Sequence, residues 1–407
     1  MRYDIAKKKA VDYGQEQILR YYDELNDESK LALENEIINT DFEVLKAIET
    51  KGESERGTFE PMQSMELDEI ESKKDEFKKI GLESIRKGEV AAVLLAGGMG
   101  TRLGSDDPKG MYDIGLTKHV YIFQRLIENL MEVVDEAGAY VPLYIMTSDK
   151  NHEKTINFLK DKDYFGYNSE YVKFFKQEMA PATDYNGKIL LEAKDKLSTS
   201  PNGNGGWYVS MYNAGLAKEA MDNGVKYINI FAVDNVLQRI ADPVFVGAVE
   251  AGGYVSGAKV VRKAARDEKV GAICLEDGKP SIVEYYEMTD GMMDAKNEKG
   301  DPAYNFGVIL NYLFSIDELE KIRENKLMIH VVEKKIPYID EEANLVKPES
   351  PNGYKFEVLV LDMVHEMKDC LSFEVVRSRE FAPIKNKTGI DSVESARELC
   401  KLNNIEL

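Results

Sequence analysis

Ala91-Ala92-Val93-Leu94-Leu95-Ala96-Gly97-Gly98-Met99-Gly100-Thr101-Arg102-Leu103-Gly104 is the stretch on which the fold turns. Its apolar run is too short for a buried helix but long enough for a strand covered on both faces. The run passes directly into glycines, where a backbone without side chains can approach a phosphate chain closely with its N–H groups. Working outward, Phe123, Leu126, Ile127, Leu130, Met131 and Val134 form the stripe of a helix lying on a sheet. Tyr144 to Ser148 reads as a second strand and Tyr227 to Val233 as a later one. Strands alternating with helices predict an α/β fold with a doubly wound, largely parallel sheet. In such sheets ligands bind at the carboxyl ends of the strands. Gly97-Gly98, Thr147-Ser148-Asp149 and Asp234-Asn235 should therefore converge on one edge.

Before residue 89 the texture is different. Ile18, Leu19, Tyr22 and Leu25 recur at helical spacing, and Thr40-Asp41-Phe42-Glu43 has the form of a capping box opening another helix. Residues 1–88 are expected to be an N-terminal helical module and 89–384 the α/β domain. A small C-terminal segment, 385–407, should end in a helix over Ser392 to Leu399. The 407 residues suffice for a large core, and 53 basic against 73 acidic side chains leave a net charge of -20. A surface this acidic repels nucleic-acid backbones and anionic lipid. Three dispersed cysteines, Cys274, Cys370 and Cys400, argue against a disulfide framework or structural zinc and point to a reducing cytoplasm. The start, Met1 to Lys9, has no apolar stretch behind its basic residues, so neither a signal peptide nor a membrane span is expected.

An anion bound by an acidic protein needs a local cluster of cations, and Arg102 and Lys109 flank the glycine loop. The loop is not a P-loop, because G-x-x-x-x-G-K-[ST] is absent. Nor is it a dinucleotide fingerprint, because Leu103 stands where the last glycine of G-x-G-x-x-G belongs. The histidines, His119, His152, His330 and His365, show no metal-ligand spacing.

LAGGMGTRLG followed by PKGMYDIGL resembles the signature of nucleotide-sugar pyrophosphorylases, in the branch of the eukaryotic-type UDP-N-acetylhexosamine (UDP-N-acetylglucosamine) and related UDP-sugar pyrophosphorylases. YIMTS from Tyr144, FFKQ ending at Gln177, PNGNGG from Pro201, VDN from Val233, ADPVF from Ala241, VEY from Val283 and FAPIKN from Phe381 follow in the family's order, over residues 85 to 395. The resemblance implies a nucleotidyltransferase sheet and a uridylyltransferase reaction, UTP and a sugar 1-phosphate giving a UDP-sugar and pyrophosphate. The sugar is expected to be N-acetylglucosamine and the required ion Mg²⁺. It also implies roles. Ala96, Gly97, Gly98, Gly100 and Thr101 contact the nucleotide phosphates. Arg102, Lys109 and Lys385 carry the catalytic charge, with Lys335 a weaker candidate for the same cluster. Gln177 and Gly203 contact the base, Asn204, Gly271, Glu284 and Val308 the sugar, and Asp234 the metal. No covalent nucleophile is needed, since alignment and charge neutralisation carry such a transfer.

The chain leaves the family pattern at Tyr304-Asn305-Phe306-Gly307-Val308-Ile309, where many relatives read YNAGNI. Val308 replaces a sugar-contacting asparagine and can neither donate nor accept, so at least one sugar hydrogen bond is missing or is supplied by Asn305 or Asn311. A glucose or galactose 1-phosphate uridylyltransferase and a non-catalytic UDP-sugar sensor are the alternatives. The sensor is disfavoured because Arg102, Lys109 and Lys385 are all present.

Overall fold

The computed structural model describes residues 1–51, 56–325 and 327–407. The chain divides into two compact units, a larger one of Gly57–Gln177, Trp207–Asn325 and Leu361–Leu407, and a smaller one of Met1–Arg56, Glu178–Gly206 and Lys326–Val360.

Ten strands form the main sheet of the larger unit: β1 (Phe59–Pro61), β2 (Val90–Leu95), β3 (Leu143–Thr147), β4 (Val172–Lys176), β5 (Tyr227–Ala232), β6 (Ser256–Arg262), β7 (Ala272–Glu276), β8 (Lys279–Val283), β9 (Phe306–Ser315) and β10 (Leu371–Glu374). The order β1-β7-β9-β5-β2-β3-β4 puts β2 inside the sheet between β5 and β3, with β6 on β9, β10 on β6 and β8 on β7. Every residue of β2 is buried, which its continuous apolar run requires of a strand covered on both faces. β5, β2, β3 and β4 pair in parallel, while β9 runs antiparallel to both β5 and β6. The parallel half is the doubly wound part read from the sequence, and the antiparallel strands extend it on the other side.

Helix α1 (Leu67–Arg86), α2 (Ile122–Ala137), α3 (His152–Asp161), α4 (Pro243–Gly252) and α5 (Val393–Leu402) cover this sheet. The stripe on α2 is buried as expected at Phe123, Leu126, Ile127, Leu130 and Val134, with Met131 half-buried. α1 and α4 touch through their backbones, because a β-carbon on Gly81 would overlap Pro243 O and one on Gly247 would overlap Phe77 O. That contact fixes α1 to the larger unit, so the boundary expected at residue 88 falls instead near residue 56. Nor does the chain part at 384: β10 pairs with β6, and Val393, Ala396 and Cys400 of α5 join the main core. Ser392 caps α5, its hydroxyl accepting from Ser395 N.

The smaller unit packs helices Arg2–Asp12 and Asp27–Asn39 against Ile189, Leu191 and Leu197. Strand Gly353–Glu357 pairs with both His330–Lys334 and Thr183–Asp184. Two local expectations change here. Ile18 to Leu25 forms two short 3-10 turns, Glu16–Leu19 and Tyr22–Glu24, rather than one helix. The expected capping box opens a 3-10 turn, Glu43–Ile48, and Asp41 rather than Thr40 accepts from Glu43 N, at 2.8 Å.

Candidate active site

The carboxyl ends of β2, β3 and β5 lie side by side in the parallel half, so the loops after them share one edge. After β2 the chain folds back on itself: Gly100 N donates to Asp107 O at 2.8 Å, and Lys109 N to Gly98 O at 3.1 Å. Asn151, fully buried at the start of α3, holds this loop from behind. Its Nδ2 donates to Ala96 O at 2.9 Å and Gly98 O at 3.4 Å, and its Oδ1 accepts from Ser148 N at 2.8 Å. The N–H groups of Gly97, Gly98 and Met99 have no acceptor among the described residues. A methyl on Gly97 would stand 2.6 Å from Gln177 Nε2, so the space a side chain would fill there is taken by that amide. Gln177 follows β4 and is anchored by its own N–H on Thr147 O at 2.8 Å. Thr101 and Arg102 form an exposed turn at the far end of the loop, Thr101–Leu103.

Lys109 Nζ lies 3.8 Å from Asp234 Oδ2, both side chains largely sheltered. Burial pulls the Lys109 ammonium below its ordinary pKa, and the charges of Lys385 and Arg102 pull the same way against the raising effect of Asp234. Three cations and one carboxylate are thus within electrostatic reach of one another. Lys385 arrives from the C-terminal segment, where its Nζ pairs with Asp391 Oδ2 at 3.0 Å.

Asn235 holds that segment in place. Its Nδ2 donates to Glu380 O at 2.7 Å, its Oδ1 accepts from Ala382 N at 2.9 Å, and the neighbouring Asp234 O accepts from Ile384 N at 2.9 Å. Behind it sits Lys259, fully buried, with Nζ 3.0 Å from Asp242 Oδ2 and 2.6 Å from Glu380 Oε2. Burial alone would lower the Lys259 pKa, yet the two carboxylates outweigh it and hold the ammonium charged. Asn151 and Lys259 were not among the residues read from the sequence, which placed Asn235 at this edge without its role in holding the C-terminal segment.

A second group forms where β7, β8 and β9 meet. Val308 N donates to Gly271 O at 2.9 Å, and a methyl on Gly271 would lie 3.4 Å from Glu284 Oε1. Gly271, Glu284 and Val308 are thereby adjacent, with Val308 half-buried. Asn311 does not substitute for the missing donor. It is fully buried, accepts from Asn229 Nδ2 at 2.8 Å and donates to Gln238 Oε1 at 3.2 Å. Gly203, Asn204 and Lys335 belong to the smaller unit. There Asn204 Oδ1 accepts from Val360 N at 2.9 Å, Gly203 packs against Val358, and Lys335 is exposed.

Free amides and converging cations beside an open loop can hold a polyphosphate and neutralise charge on a departing one. For a cation the donors are few, since no cluster of three or more His, Cys, Asp or Glu side chains occurs among the described residues. A single carboxylate, Asp234, suits a hard divalent ion that keeps waters and takes its remaining oxygens from substrate phosphates. Among the described residues no helix is long and apolar enough to cross a membrane.

The family model described as UTP--glucose-1-phosphate uridylyltransferase matches residues 43–407. The chain is 38% identical over 340 residues to the UDP-N-acetylglucosamine pyrophosphorylase of Saccharomyces cerevisiae, which covers 80% of this chain and 71% of the yeast protein. It is 36% identical over 403 residues to the UDP-N-acetylhexosamine pyrophosphorylase-like protein 1 of Mus musculus, covering 93% of this chain and 79% of the mouse protein. Among solved structures, the uridine diphosphate N-acetylglucosamine pyrophosphorylase of Trypanosoma brucei in complex with inhibitor superposes with a TM-score of 0.84 at 25% identity. That match covers 98% of this chain and 84% of the other.

Proposed function

The chain belongs to the UTP--glucose-1-phosphate uridylyltransferase family, and from that premise we propose that it transfers the uridylyl group of UTP to N-acetylglucosamine 1-phosphate, releasing pyrophosphate. The observation that carries this reading is the gathering of Arg102, Lys109, Lys385 and Asp234 around a glycine loop with free N–H groups.

An oxygen of the sugar phosphate attacks the α-phosphorus of UTP, and the bond from that phosphorus to the α,β-bridging oxygen breaks. Pyrophosphate leaves with the bonding electron pair. Ala96, Gly97, Gly98, Gly100 and Thr101 form the phosphate cradle, and the Gln177 amide, offering a donor and an acceptor, reads the edge of the uracil. Arg102 and Lys109 hold the β- and γ-phosphates, whose charge grows as the bond breaks. Lys385 neutralises the approaching sugar phosphate, so that two anions can meet. Asp234 would hold Mg²⁺, which would supply positive charge to offset that of the phosphates.

The Gly271, Glu284 and Val308 group supports an N-acetylhexosamine. The Glu284 carboxylate can accept from a sugar hydroxyl, while the Val308 methyl groups suit the methyl of an acetamido group better than a bare hydroxyl. The test is pyrophosphate release from UTP and Mg²⁺ with the 1-phosphates of N-acetylglucosamine, N-acetylgalactosamine, glucose and galactose. The highest kcat/KM is expected with N-acetylglucosamine 1-phosphate. Preference for glucose would overturn the sugar assignment, and no release with any of the four would overturn the reaction.

A further inference from the structure

Arg102, Lys109 and Lys385 account for the cations read from the sequence, but one more lies at the loop. The C-terminal segment that carries Lys385 turns back sharply, Lys385 N and Asn386 N both donating to Asp391 O, at 2.6 and 3.1 Å. This turn brings Lys387 over the far end of the glycine loop, where a methyl on Gly104 would stand 2.8 Å from Lys387 Nζ and 3.1 Å from its Cε. Lys109 and Lys385 are each offset by a carboxylate, Asp234 at 3.8 Å and Asp391 at 3.0 Å. Arg102 and Lys387, by contrast, have no carboxylate partner and no hydrogen bond among the described residues.

Two cations, Lys387 beside Gly104 and Arg102 in the turn just before it, thus lack a carboxylate partner among the described residues of a protein of net charge -20. Carboxylates are plentiful on this surface: Lys154 pairs with Asp107 only a few residues along the same loop. Leaving Arg102 and Lys387 unpaired keeps their donors available for an anion that the chain does not supply. A lysine ammonium is a mobile point charge on a flexible stem, suited to a group that binds, gathers charge and departs.

From this geometry we infer that Lys387 is a phosphate-binding residue of the leaving-group side, contacting with Arg102 the terminal phosphates of UTP and the pyrophosphate they become. The inference rests on the proposed reaction and deepens it. It adds Lys387 to Arg102 and Lys109 on the side of the departing phosphates, while Lys385 meets the sugar phosphate.

The experiment is pyrophosphorolysis of UDP-N-acetylglucosamine by the parent chain, Lys387→Ala and Lys387→Arg, together with calorimetric titration of Mg²⁺-pyrophosphate into each. Lys387→Ala should raise the KM for pyrophosphate and weaken its binding by about tenfold, the effect of one charge-assisted contact. The KM for UDP-N-acetylglucosamine, which has no terminal phosphates at this position, should stay within about twofold, and Lys387→Arg should retain most of the pyrophosphate affinity. Unchanged pyrophosphate affinity in Lys387→Ala would overturn the assignment, as would an equal loss for both substrates. If the parent binds pyrophosphate, the alanine variant binds it about tenfold more weakly and neither turns over, the binding role stands and the reaction is what fails.

Discussion

In the loop after β2, Gly98 has nothing within 4 Å of the place where its side chain would begin, and its φ is not in the left-handed region. In the Pro201 to Gly206 loop of the smaller unit, a β-carbon on Gly203 would overlap Val358 O and one on Gly205 would stand 2.6 Å from Leu359 O. Gly203 also has a φ of +92°. Both loops are rich in turn residues and look alike as sequence. Gly203 and Gly205 are required by the chain's own backbone, whereas Gly98 faces a space that no part of the larger unit fills. A glycine jammed against its own protein is a folding requirement, whereas a glycine facing empty space beside free amides and cations is, on the proposed reaction, kept open for a ligand.

The largest effect that could break this contrast is on stability. Gly203→Ala places a side chain in a left-handed conformation against a backbone carbonyl that cannot move aside as a flexible side chain could. A loss of about 3 kcal/mol or more is expected, seen as a lower midpoint in thermal or urea unfolding. A change below about 0.5 kcal/mol would mean that the second loop does not need its glycine for folding. Next, Lys109→Ala should lower kcat by roughly a hundredfold, about 3 kcal/mol of transition-state charge stabilisation, without lowering the unfolding midpoint. Activity within about threefold of the parent would remove Lys109 from the site. Smaller still, Gly98→Ala should leave stability within about 0.5 kcal/mol, or raise it slightly by restricting the unfolded chain. It should nonetheless increase the KM for UTP several-fold, since a methyl then occupies the phosphate approach. Equal KM values would make the open space at Gly98 incidental.

The first loop could be read from the sequence because its meaning is local. The apolar run, the glycines, Arg102 and Lys109 lie within twenty residues, and each strand and helix around them declares itself by its own periodicity. What the sequence hid depends on distant partners. Asn151 reaches Ala96 O across 55 positions as an isolated polar residue without a pattern, and Asn235, though placed at the edge by its motif, reaches a partner, Glu380 O, across 145. The smaller unit is assembled from three separate stretches, and the pairing of Thr183–Asp184 with Gly353–Glu357 has no local signature. Periodicity also misled where it was short. Ile18 to Leu25 buries its apolar side in two 3-10 turns, since turns of that length can present Ile18 to the core without a continuous helix. Asn311 was a plausible donor by position, but a central strand turned it inward to Asn229 and Gln238.

The finest distinction between the loops is in their response to alkali. Pro201 to Gly206 contains no titratable side chain, so a protonation step there cannot come from the loop itself. The first loop contains Lys109, whose pKa is lowered by burial and then by Lys385 and Arg102, with Asp234 opposing. In the free enzyme its ammonium therefore loses its proton below the ordinary lysine value of 10.5. kcat/KM for UTP, which reports the free enzyme, should fall as pH rises through that lowered value. Bound phosphates favour the charged form, so the corresponding fall in kcat should come at higher pH. Folding stability has the opposite sign. A lysine with a depressed folded pKa binds fewer protons folded than unfolded in this range, so its contribution rises with pH as activity declines. Lys109→Arg supplies a group that stays charged throughout and should move the alkaline limb of kcat/KM upward even where its absolute rate is lower. If that limb stays where it was in the parent, Lys109 is not the titrating group, and the first loop's dependence on charge would have to come from another lysine.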